Sequence, residues 1–137
     1  MPSVIERGLR IALCCAAIAG AVWALGLRAE ARRCDDEQAV LFHVVFLKGS
    51  DPATVRKVLS DCRDPGRIAR MSAGLAEADP RVARLLARHA VAEAPDTFAP
   101  WAALVIASGP GSPETRAAWQ RARRLNPRWP VPAPAAR

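Results

Sequence analysis

Residues 11–27 read IALCCAAIAGAVWALGL, seventeen residues without a charge, and after Arg28 the sequence turns Arg- and Ala-rich. As a helix this run covers about 25 Å, a little less than a hydrocarbon core of about 30 Å, and Leu9 with a snorkelling Arg10 extends it. The run directs the chain to a membrane: a short segment 1–8 followed by a transmembrane helix over residues 9–27. Two forms of that expectation stay open. A cleaved signal peptide would use the basic Arg7 and Arg10 and the Ala29-Glu30-Ala31 stretch, which resembles a cleavage site. An uncleaved anchor accounts better for the hydrophobic length, for Trp23 near one end, and for Arg28, Arg32 and Arg33 crowding that site.

Sidedness draws on two opposed signals. Arg7, Arg10 and the amino terminus face three arginines on the other flank, a count that slightly favours a cytoplasmic C-terminal part. The cysteines point the other way. Cys14 and Cys15 lie inside the apolar run and read as small hydrophobic residues, whereas Cys34 and Cys62 are the only pair in the polar part. In an exported chain such a pair reads as one disulfide, and its spacing fits neither a zinc site nor a redox C-x-x-C. The expected location is therefore the cell membrane, single-pass, with an extracytoplasmic domain. A cytoplasm-facing adaptor with reduced cysteines is the alternative.

Past the apolar run, punctuation sets the organisation. Asp51-Pro52, Asp64-Pro65, Asp79-Pro80 and Ser112-Pro113 each put an N-cap residue before a proline at the first helical position, where its missing N–H costs nothing. Thr97 suits another start, and Asp35-Asp36-Glu37 suits a first turn. Six helices are predicted after the apolar segment: 35–48, 52–62, 65–77, 80–94, 98–108 and 113–125. AVLFHVVF, residues 39–46, is the only strand-like stretch, and its acidic start and the Gly49-Ser50 stop favour a helix. The short connections make an all-α domain over residues 34–126, built as antiparallel helical hairpins. A hairpin turning at Gly49-Ser50 brings Cys34 beside Cys62. In the fourth helix Val82, Ala83, Leu86 and Ala90 share a packing face, with Arg81, Arg84 and Arg88 opposite. The Pro/Ala-rich tail, 127–137, cannot continue a helix and is expected to leave the domain extended.

Residues 98–127 resemble a tetratricopeptide repeat. Trp101-x-x-Leu104 matches the opening, Trp119 takes the large second-helix position, and Ala122 with Leu125-Asn126-Pro127 matches the ending. The unit before it is more divergent: Ala83, Ala90 and Pro95 fit, but Arg70 and Met71 stand where the family has leucine and a small residue. Pro95 and Pro127 lie 32 residues apart against a family period of 34, a shortening placed in Ser108-Gly109-Pro110-Gly111. The helix pair between Cys34 and Cys62 would be a third, diverged unit. The resemblance implies a stack of about three hairpins that binds a protein or peptide partner without catalysis, and the unpaired apolar face of a lone hairpin gives the physical reason for stacking.

Other function classes find little support in the residues. The net charge of +7 comes almost entirely from arginine, Lys48 and Lys57 being the only lysines, but it is spread over every helix rather than gathered into a nucleic-acid patch. Anionic lipid headgroups or acidic envelope polymers are nearer partners. His43 and His89 sit among apolar neighbours, and neither is read as having a His, Cys or carboxylate partner at i+3 or i+4 suited to a metal site. No G-x-S-x-G, P-loop or H-E-x-x-H occurs, so the chain reads as a non-enzyme without metal or cofactor. An anchored interaction scaffold in an envelope assembly is the expected function, with a secreted form or a cytoplasm-facing adaptor as alternatives.

Overall fold

Apolar side chains crowd the first forty-eight residues, and no proline or glycine-based stop interrupts residues 27–48. In the computed structural model, which describes residues 4–48 and 51–132, they form one uninterrupted helix, α1, Val4–Lys48. The expected separation between an anchor over 9–27 and a domain helix starting at 35 is absent. Arg28 to Arg33 consists of Arg, Ala and Glu, good helix formers with no breaker among them, so the acidic triplet at 35–37 has no helix to begin. Residues 39–46 are helical, and Gly49-Ser50 lies outside the described residues.

Five further helices follow: α2 Pro52–Asp61, α3 Pro65–Leu75, α4 Pro80–Glu93, α5 Phe98–Ser108 and α6 Pro113–Leu125. No strand occurs among the described residues. Four starts are capped as their sequences dictate: Asp51, Asp64, Asp79 and Ser112 each accept from backbone N–H groups of the first turn. Thr97 differs, since its hydroxyl donates back to the Ala94 carbonyl at 3.0 Å and caps nothing. Pro100 occupies the third position of α5 and has no N–H to offer that oxygen. Gly109, at φ 69°, ends α5 in the left-handed region that a side chain would strain.

The packing follows chain order. α3 lies against both α4 and α5, α5 also takes α6, and α1 takes α2; the α1–α2 pair reaches the rest through α3 and α4. The core begins with Cys34, Leu41, Val45, Val55, Val58 and Cys62 and continues through Ile68, Met71, Leu75, Val82 and Leu86. Toward α5 and α6 it becomes a seam of alanines: Ala83, Ala87, Ala90, Ala103, Ala107, Ala118 and Ala122 are all buried. Small side chains let these helices approach closely, and each position leaves little room for a larger group. At one point α1 comes nearly as close to α3, where a Cβ on Gly74 would stand 2.9 Å from the Phe42 ring.

Two faces stand apart from this body. The large apolar side chains of the amino-terminal half of α1 stand out from it: Leu9, Ile11, Leu13, Ile18, Val22, Trp23, Leu25 and Leu27 are all at least half exposed. It is one helix long and apolar enough to cross a membrane. The tail, expected to depart, folds back instead. Trp129 packs edge-on against Phe98 with ring centroids 5.3 Å apart, and the carbonyls of Trp129 and Val131 accept from Arg123 and Trp119. Residues 133–137 lie outside the described part.

Candidate functional site at the junction of the long helix

Cys34 comes about two-thirds of the way along α1 and Cys62 just after α2, and the α1–α2 pairing brings them to disulfide distance, with Cα atoms 4.6 Å apart. Both are buried, at 2% and 0% exposure. Cys14 and Cys15 are exposed on the apolar half of α1.

Around this pair charged groups tie α1 to the body. Arg67 of α3 donates to the Ala31 carbonyl of α1 at 3.0 Å, pairs with Asp35, and lies 3.6 Å from Asp64 at its own helix start. Lys57 of α2 bridges Glu37 of α1 and, at 2.9 Å, Asp61 one turn along α2. The Lys57 ammonium is held above its ordinary pKa by Glu37 and Asp61, and the Asp61 carboxyl is held low by Lys57 and Ser60. Lys57 and Asp35 are exposed and their partners only half-buried, so the pairs fix geometry more than they stabilise. Beside them a groove of about 800 Å³ opens between α1 and the end of α2, lined by Gly26, Arg33, Asp36, Lys57, Asp61 and Arg63. Arg33 and Arg63 are exposed there, immediately past the apolar stretch.

At the far end of the body the repeat-signature residues occupy α5, α6 and the turn beyond. Leu104 and Ala122 are buried. Trp101 packs on the edge of the core and donates its indole N–H to the Pro95 carbonyl at 2.7 Å. Trp119 is half-buried outside that core; its N–H goes to the Val131 carbonyl and the Arg123 guanidinium lies 5.7 Å over its ring. Pro127 is exposed in the turn after α6.

Some polar partners had no sequence signal because they are distant in the chain. The arginine stripe of α4 is one: Arg88 binds Glu114 of α6 at 2.6 Å and Arg84 lies 3.9 Å from the same carboxylate. Glu114 also accepts from Ser108, and Arg88 above all holds its pKa below the ordinary glutamate value. Arg121 similarly pairs with Asp96 at 2.6 Å. His43 is exposed; His89 is half-buried and shares a groove with Cys62, Arg63 and Glu93, its neighbour one turn on. No group of three or more metal-ligating side chains occurs among the described residues. No family model, curated protein or solved structure matches this chain.

Proposed function

We propose that this chain is a single-pass, membrane-anchored scaffold whose helical body stands outside the cytoplasm and holds a protein partner in an envelope assembly. The observation that carries the reading is α1 itself. Its apolar half is exposed on all sides, and the same helix continues without a break into the buried contacts of Leu41 and Val45. A helix of this kind has its hydrophobic demand met by lipid at one end and by the body at the other. The anchor is favoured over a cleaved leader by Arg67, which binds the Ala31 carbonyl inside the would-be cleavage site.

The body is read as a TPR-like stack of antiparallel hairpins. Support comes from the neighbour order, in which α3 meets both α4 and α5 and α5 meets α6, the pattern of two successive hairpins, with α1–α2 as a looser third. The buried Cys34–Cys62 pair favours an oxidising compartment. Arg28, Arg32, Arg33 and Arg63 then lie where lipid headgroups begin and would meet anionic phosphates.

Alkaline carbonate extraction of native membranes, with the mass of the mature protein, tests the anchor. Retention in the pellet with residues 1–27 intact is the expected result. A soluble chain starting after Ala31 would replace the reading with a secreted protein.

A further inference from the structure

The last helix holds the segment that follows it by its backbone. After Leu125 the chain turns: Trp129 N–H donates to the Asn126 carbonyl at 3.1 Å, and Asn126 Oδ1 accepts from Arg128 N–H at 3.2 Å. It then runs back along α6. Arg123 Nη1 donates to the Trp129 carbonyl at 2.6 Å and Trp119 Nε1 to the Val131 carbonyl at 3.1 Å, while the Trp129 ring stands edge-on to Phe98.

Both accepting carbonyls belong to residues that precede proline, Pro130 and Pro132. A residue before proline is confined to extended backbone, and in a polyproline-type segment the carbonyls are free of internal hydrogen bonds. Carbonyls two residues apart repeat every ~6 Å at a rise of ~3.1 Å per residue. Trp119 and Arg123 are one turn apart on α6, also ~6 Å along its axis. Donor and acceptor spacings match, and neither hydrogen bond depends on the side chain of the segment. The Trp129 ring is read as a side chain, against Phe98.

We infer that Phe98, Trp119 and Arg123 form a binding site for extended segments with proline at alternate positions, filled here by residues 129–132 of the same chain. A proline-rich segment of a partner protein occupies it when the tail is displaced. The site lies on α6 and the start of α5, away from the junction, so it does not depend on the membrane reading. The short tether through residues 126–128 gives the tail an effective concentration of at least the millimolar range, which a partner must overcome.

The full-length chain in detergent micelles, titrated with a fluorescent peptide of sequence PRWPVPAPA, tests this. Trp129→Ala loosens the tail and leaves both donors in place, so it is expected to bind the peptide at least about tenfold more tightly than the parent. In that background Trp119→Phe and Arg123→Gln, checked for an unchanged circular dichroism spectrum, should each weaken binding about fivefold, as should replacing the peptide's prolines by alanine. The Trp119 indole N–H resonance should move on titration. No saturable binding to Trp129→Ala, or binding indifferent to both donor variants, would overturn the site. Equal affinity for parent and Trp129→Ala would overturn its occupation by the tail, and a dimer that the peptide splits would assign the occupant to a second copy.

Discussion

Single side chains in this body fall into two groups, those whose loss leaves a hole and those whose loss leaves a charge. Leu104 belongs to the first: buried among alanines that cannot swing in to fill its space, it is expected to cost about 2–5 kcal/mol on replacement by alanine, read as a lower midpoint in urea unfolding. Ser72, fully buried, donates to the Ala83 carbonyl at 2.7 Å and joins α3 to α4 by one hydrogen bond. Glu114 belongs to the second group. Its folded pKa lies below the unfolded one, so its contribution is present above the ordinary glutamate range and is lost as pH falls through the lowered value. Glu114→Gln should therefore melt below the parent at pH 7, by about 1 kcal/mol or less for so exposed a partner as Arg88, and the two melting curves should converge in acid once the pH falls below the lowered pKa. A gap that widens in acid would show that the carboxylate is unpaired.

At the scale of elements, local chemistry was legible and long-range chemistry was not. Asp51, Asp64, Asp79 and Ser112 announce their helices because cap and proline are adjacent in sequence, and the observed starts of α2, α3, α4 and α6 follow them. The ends of α1 and the tail were harder to read. The acidic run at 35–37 resembles a helix start, but a start also requires that the preceding helix stop, and residues 28–34 contain nothing that stops one. The tail's prolines forbid helix but say nothing of two donors waiting on α6. Trp119 matched a repeat position by size, whereas its indole N–H finds its partner in the returning tail. Hydrogen exchange of the full chain in micelles checks the continuity of α1. Amides of residues 28–34 are expected to be protected at least about tenfold over random coil, and complete exchange there within seconds would mark a hinge between anchor and body.

For the whole molecule, the geometry ties three things to one helix: an exposed apolar half, a charged junction and a buried cysteine pair. Because α1 is continuous, the body cannot swing freely about its apolar half; Arg67 on the Ala31 carbonyl and Lys57 between Glu37 and Asp61 hold the angle between α1 and the helices beside it. Gly74→Ala probes the same seam without touching charge, since the new methyl group must displace the Phe42 ring. Its gain of about 1 kcal/mol in helix propensity should be cancelled by that displacement, leaving a melting temperature no higher than the parent's. The pair Cys34–Cys62 encloses residues 35–61, and in the chain-entropy view its closure as a disulfide would stabilise the body by about 3–4 kcal/mol, enough to matter for a core built so largely of alanine.

Anchor, junction and compartment meet in the oxidation state of that pair. Native membranes quenched with an alkylating reagent, followed by non-reducing proteolysis and mass spectrometry, read it directly. A peptide joined through Cys34 and Cys62, with Cys14 and Cys15 left out of the linkage, is the expected result for a body held outside the cytoplasm. Cys34 and Cys62 recovered as separate alkylated peptides would contradict it and place the body in a reducing compartment.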